Sequence, residues 1–156
     1  MMNELRTVID TGVVVSALLL PRSVPRQAFD VAAARGRLLV SYETIAEPDE
    51  VLRRPRFDKY LSQARRLEFL AALVREAEVI DVVDVVAECR DPKDNKFLEL
   101  ALSGNGSHIV TGDSDLLVLH PFRGITIVNS RSFLAIPGVQ GPRPEPSDDP
   151  EQNLPG

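Results

Sequence analysis

Short apolar runs recur along this chain, each followed by a stretch of helical periodicity, and that alternation restricts the fold more than any other feature. Residues 6–10, 38–40, 79–83, 108–111 and 125–129 read as strands. Residues 13–20 continue apolar as a helix up to Pro21. Ser23 then offers an N-cap, with Pro25 in the first turn, for a helix through Ala34 that stops at Gly36. Residues 44–54 are helical until Pro55. Leu67, Leu70, Ala71 and Val74 mark a further helix that starts about Phe57 or Ser62 and ends at Arg75. Residues 94–102 form the clearest helix, and 115–118 a short one. Strands alternating with helices make βαβ units, hence an α/β fold whose mostly parallel sheet is covered on both faces.

At 156 residues, 44% apolar and 26% charged, the chain has the length and composition of one domain with a full core. The expected organisation is a folded domain over 1–136 and a tail over 137–156. The tail carries Glu145, Asp148, Asp149 and Glu151 against Arg143, and six of the twelve prolines. It is too poor in apolar surface to offset the entropy of ordering and reads as disordered. No apolar run approaches the roughly 20 residues of a membrane span. The stretch 13–20 follows the acidic Glu4 and Asp10, unlike a signal peptide. Cys89 stands alone, which excludes an internal disulfide and fits a reducing cytoplasm; taken by itself it is an ordinary thiol. A net charge of −5 argues against a surface coated with basic groups.

Acids punctuate the ends of the expected strands and the starts of the expected helices. They are Asp10 in TVIDTG, Glu47 in TIAEPDEVL, Asp94 in DPKDNKFLELA, and Asp113 with Asp115 in IVTGDSDLL. Each has an ordinary explanation. Asp10 suits a turn or an N-cap. Thr44 and Glu47 have the spacing of a capping box, although Pro48 disfavours helical geometry at Glu47. Asp91 and Asp94 make a second box, with Pro92 at the first helical position. Asp113 and Asp115 fit a turn, Asp115 capping the next helix.

Placement favours more than capping. In a parallel sheet the strands finish on one edge, and functional groups gather outside their carboxyl ends. Asp94, Phe97, Leu98, Ala101 and Leu102 share one helical face, so packing that face carries Asp94 inward; Asp91 lies off the stripe and suits a plain cap. Two carboxylates ~4 Å apart repel by roughly 4 kcal/mol at an effective dielectric near 20. A cluster of them must therefore be partly protonated or hold a cation. All-oxygen donors select Mg²⁺ or Mn²⁺ over zinc. His108 opens a strand and His120 precedes a proline, poor positions for zinc ligands.

Four segments, VIDTGVVVSALL, ETIAEPDEVLRRPRF, DPKDNKFLELAL and HIVTGDSDLL, together resemble the PIN-domain family of metal-dependent nucleases. The likeness is to its prokaryotic toxin components of toxin–antitoxin pairs, and it spans about residues 7–131. It implies a three-layer α/β/α sandwich. It also implies Asp10, Glu47, Asp94 and Asp113 as catalytic, metal-binding acids, Asp115 as a fifth ligand, and Thr111 as a hydroxyl beside the metal. One or two Mg²⁺ or Mn²⁺ ions would support in-line attack of water on a phosphodiester. The implied substrate is single-stranded RNA; the residues alone do not separate RNA from DNA. The implied partners are a small antitoxin protein and a second copy of the chain, with no membrane.

Two departures from the family pattern bear on activity: Gly12 stands where the family usually has Asn, and Pro48 follows Glu47 directly. They support a rival, a catalytically weak or inactive PIN-like module that binds RNA or a protein partner. A phosphatase with Asp10 as nucleophile would need an acid at position 12, where Gly12 cannot serve. The run RRPRFDKYLSQARR places Arg53, Arg54, Arg56, Lys59, Arg65 and Arg66 within fourteen residues, opposed by Asp58. It reads either as a phosphate-tracking patch or as a solvated helix face. Phe57 and Tyr60 are its aromatic neighbours.

Overall fold

In the computed structural model, which describes residues 4–139, β1 (Leu5–Ile9) leads through α1 (Thr11–Leu19) and α2 (Val24–Arg35) to β2 (Gly36–Val40). There follow α3 (Tyr42–Leu52), α4 (Gln63–Glu76) and β3 (Glu78–Val79). The chain then runs through α5 (Asn95–Ser103), β4 (His108–Val110), α6 (Ser114–Leu117), β5 (Thr126–Val128) and α7 (Ser130–Ala135). Among the described residues the sheet is five-stranded and parallel, in the order β3-β2-β1-β4-β5. From β1 the chain builds outward on one side, then returns to place β4 on the other. The strand order reverses between β1 and β4, and that is where a parallel sheet leaves a crevice beyond its carboxyl ends.

Strand alternation sorts the core into two layers. Leu38 and Val110 pack with Val14, Leu18, Phe29, Leu70 and Phe133 on one face. Leu39, Val8 and Ile109 pack with Phe97, Leu98, Leu100 and Ala101 of α5 on the other. This is the α/β/α sandwich expected from the sequence. At the amino end of the sheet, Leu5 pairs with Gly36, and a Cβ on Gly36 would lie 1.9 Å from the Leu5 carbonyl oxygen. Only glycine permits that approach.

Several boundaries differ from expectation for local reasons. α3 begins two residues before Thr44, because Ser41 is the N-cap and forms the capping box with Thr44. The Thr44–Glu47 box does not form, and the Glu47 side chain is left for other partners. Pro48 lies inside α3 and is buried, without ending the helix. The strand expected over 79–83 shrinks to β3: the Ile80 amide still donates to Val40 O at 2.9 Å, and from Val83 onward side chains of α5 take the amides. Ser103 Oγ accepts from Val83 N and Asp84 N at 3.0 and 3.1 Å, Glu99 Oε2 from Val86 N at 2.9 Å, and Asn95 Oδ1 from Cys89 N at 2.9 Å. Those acceptors are four residues apart, one per turn along α5.

Val139 is buried against the core, so the packed body extends past the boundary drawn at Ile136. The disorder expected of the tail concerns 140–156, which lie outside the described residues. No described helix is long and apolar enough to cross a membrane.

Candidate metal and nucleic-acid site

A pocket of about 910 Å³ opens at the reversal point, and Asp10, Glu47, Asp94 and Asp113 all line it. Asp10 follows β1 and caps α1: its Oδ1 accepts from Val13 N at 2.9 Å. Thr111, fully buried just past β4, donates its hydroxyl to Asp10 Oδ2 and accepts from Asp113 N at 2.9 Å. One hydroxyl thus ties together the acids that follow two adjacent strands. Asp113 caps α6 by accepting from Asp115 N at 2.8 Å. Asp94 ends a 3₁₀ turn, Pro92–Asp94, and enters α5 with 6% exposure. The plain cap there is Asp91, which accepts from Lys93 N.

The electrostatics are those of crowded carboxylates. Burial raises the Asp10 carboxyl above its ordinary range, and the Asp113 charge adds to that. The Thr111 hydroxyl and the Val13 and Gly112 amides oppose the rise without cancelling it. Asp94 is pushed up to about 6, first by burial, then by a hydrogen bond and charge shared with Asp113, and by Asp91; Lys96 pulls the other way. Asp94 Oδ2 is buried with no hydrogen-bond partner. A buried, ionisable oxygen left unpaired beside another carboxylate is a cation acceptor in chemistry and placement.

Glu47 behaves differently. Burial works to raise its carboxyl. The nearby Thr11 hydroxyl, which falls short of hydrogen-bond geometry, and the Lys96 and Lys93 charges outweigh it and hold the group low. Lys96 Nζ donates to Glu47 Oε2 at 3.1 Å. Among the described residues, no group of three or more His, Cys, Asp or Glu side chains is arranged to hold a metal ion as it stands. Asp10, Asp94 and Asp113 present the kind of oxygen donors that hard divalent ions take, while Glu47 is engaged by an ammonium.

Two sequence-based assignments are corrected. Asp115 does not line the pocket; its contact with the acids is through its backbone amide. Arg66 does not face solvent. It is 0% exposed, with Nε donating to Leu52 O at 2.7 Å, Nη1 to Leu61 O, and Nη2 to Arg54 O at 3.4 Å and Asp58 Oδ1 at 3.0 Å. Those carbonyls are the orphan acceptors at the carboxyl end of α3 and in the loop beyond, so the arginine is a buried clamp.

The other basic residues of the run are exposed. Arg53 pairs with Asp49, and Arg54 with Glu50 at the pocket's rim. Arg56 lies over the Phe57 ring and Lys59 over Tyr60. Arg56, Phe57 and Tyr60 line a second hollow that shares Thr11, Gly12, Ser16 and Val51 with the first. A Cβ added at Gly12 would meet Asp10 Oδ1 at 3.7 Å, an ordinary contact, so a side chain there would have room beside the acid. Arg65 is exposed on α4.

Sequence reasoning missed Lys96, Lys93 and Arg131. Lys93 and Arg131 line the pocket, and Arg131 follows β5. The strand-end rule that found the acids, applied to β5, would have found Arg131.

A family model described as PIN domain matches residues 6–115. The chain belongs to the PIN domain family. Among relatives, the uncharacterised protein MJ1680 of Methanocaldococcus jannaschii is 32% identical over 120 residues, covering 74% of this chain and 76% of that protein. VapBC2 from Rickettsia felis, bound to a promoter DNA fragment, superposes with a TM-score of 0.55 at 12% identity, over 80% of this chain and 98% of that one. DNA-bound VapBC from Salmonella typhimurium gives 0.53 at 19% identity, over 81% and 98%. PAE2754 from Pyrobaculum aerophilum gives 0.54 at 16%, over 84% and 93%. At such identities these neighbours establish the PIN fold and nothing finer.

Within this PIN domain, Thr111 lends itself to a direct check. Thr111→Val keeps the shape but removes the hydroxyl from Asp10 and Asp113 N. The expected cost is about 1–3 kcal/mol of stability, seen as a lower melting temperature. Thr111→Ser should recover most of it.

Proposed function

We propose that this PIN domain is a divalent-metal-dependent endoribonuclease acting on single-stranded RNA, and the toxin of a toxin–antitoxin pair in the cytoplasm. The observation that carries this reading is the buried, unpaired Asp94 oxygen facing Asp113 at the reversal point of the sheet. Asp10, Asp94 and Asp113 would hold Mg²⁺ or Mn²⁺, with Glu47 joining them once free of Lys96; Asp115 would contribute only through its amide. A cation bound there would supply charge neutralisation at the scissile phosphate and a water of lowered pKa.

The chain's own residues do the rest. Thr111 fixes the rotamer of Asp10 and the backbone of Asp113. Arg54, Lys93 and Arg131 surround the acids with positive charge that a polyanion requires. Arg56 and Tyr60, with Lys59 over the Tyr60 ring, would track a strand leaving through the adjoining hollow, which suits an unpaired strand with splayed bases better than a duplex. Arg53 and Arg65 extend the same basic flank. Likeness in fold to two VapBC assemblies supports a small protein partner, and a homodimer is proposed with it.

Metal binding is tested by melting. Millimolar Mn²⁺ should raise the melting temperature at pH 7.5, since a ligand at 100 times its Kd stabilises by ~2.7 kcal/mol. The shift should shrink at pH 5, below the value near 6 at which Asp94 takes up a proton that competes with the cation. The rival, a binding module without catalysis, draws support from the engaged Glu47. A protein that binds RNA but shows no Mn²⁺ shift and no cleavage would be that module.

A further inference from the structure

Lys96 is not an ordinary surface lysine. Its side chain is 11% exposed, and its ammonium donates to Lys93 O at 2.6 Å as well as to Glu47, 4.9 Å from the Phe97 ring centre. These contacts fix the charge in one place, where a solvated lysine would hold it loosely. The lysine sits on the first turn of α5, two residues past Asp94, and reaches across to α3, which carries Glu47. It thereby engages a pocket acid carried by a different helix from its own.

We propose that Lys96 is a positioning residue that competes with a divalent cation for Glu47 and so sets the cation affinity of the pocket. This rests on the metal-binding reading above. The Lys96 ammonium takes up acceptor capacity of Glu47 Oε2, and its positive charge opposes the approach of a divalent ion to the same carboxylate. The ion pair must loosen or turn before Glu47 joins the aspartates at full strength, and that cost is subtracted from binding. The pair also keeps the carboxylate neutralised and oriented in the absence of metal, so the acids do not drive the pocket open by mutual repulsion. Lys93 is the internal control: its charge also bears on Glu47, but it is 70% exposed and pairs with Asp91 at 3.8 Å.

The experiment measures Mn²⁺ uptake by the full chain, from the electron-spin-resonance signal of free Mn²⁺ at one pH and ionic strength. Wild type, Lys96→Met, Lys96→Gln, Lys96→Arg and Lys93→Met are compared, with metal-free melting recorded for each. Lys96→Met and Lys96→Gln should bind on the order of three- to tenfold more tightly than wild type. Lys96→Arg should stay near wild type, and Lys93→Met should gain distinctly less than Lys96→Met. Unchanged or weaker binding by both neutral variants overturns the proposal, as does an equal gain from Lys93→Met, which would reveal simple field repulsion. Arginine binding as tightly as methionine overturns it too. If wild type binds Mn²⁺ and the neutral variants do not bind better, only the Lys96 competition fails; if no folded variant binds Mn²⁺, the metal reading fails with it.

Discussion

Asp94→Asn is expected to lower metal-dependent cleavage of single-stranded RNA by on the order of 10²-fold or more, the scale seen when one group of a preorganised charged site is removed. At the same time the metal-free protein should melt no lower than wild type at pH 7. Asp94 is buried, one of its oxygens has no partner, and it faces Asp113. Its carboxyl is raised to about 6 in the fold, against 3.8 ordinarily. Between those values the native state holds a proton that the unfolded chain has released. The stability this contributes is complete below about pH 4 and lost as pH rises through about 6. Wild type should therefore melt higher at pH 5 than at pH 7, and Asp94→Asn, which cannot ionise, should flatten that difference. The paired readouts separate chemistry from folding. Full cleavage by a stable Asp94→Asn protein would remove Asp94 from the site; a large fall in its melting temperature would show a structural carboxylate instead.

Arg66→Ala is expected to cost about 3 kcal/mol or more, because it orphans the Leu52, Leu61 and Arg54 carbonyls and leaves a void where a whole side chain was buried. For a body of this size that corresponds to a fall of roughly 10 °C in melting temperature. Arg66→Lys should not rescue it. The ammonium keeps the charge but lacks the planar fork that reaches several carbonyls at once. If Arg66 were instead a phosphate contact, Arg66→Lys would melt normally and alter the salt dependence of RNA binding. The consequence reaches the site, since the loop that Arg66 clamps carries Arg54 and Arg56 to the pocket and the hollow beside it. Substituting Arg66 should thus weaken RNA binding near its melting range and spare it in the cold.

The alternation of apolar runs and helical stretches was enough for the parallel α/β/α fold, because period-2 and period-3.6 patterns are local and survive without knowledge of partners. The stripe through Phe97, Leu98 and Ala101 told which face of α5 goes inward, and with it where Asp94 enters. Strand ends followed by Asp10 and Asp113 gave the edge on which function would gather. Short-range competition was harder to see. Ser41 and Glu47 are equally plausible partners for Thr44 on paper, and only the course of the backbone after β2 selected Ser41. Likewise the valines of 79–83 have strand character, yet pairing with the sheet stops at Ile80, and Ser103, Glu99 and Asn95 on another helix take the amides of Val83, Asp84, Val86 and Cys89 beyond it.

Charge was the least legible property. Six basic residues in one run look alike in sequence, but burial separates Arg66, which binds carbonyls, from neighbours that meet solvent. Lys96 carries no local mark of its engagement with Glu47, forty-nine positions earlier. Sequence alone determined the layers, the sheet edge where the acids gather and the four acids, Asp10, Glu47, Asp94 and Asp113, that line its pocket, since each follows from patterns within a few residues. Tertiary structure alone decided which charges are paired, which are buried and which stay available, because Coulomb and desolvation energies depend on distances that the linear order of residues does not contain.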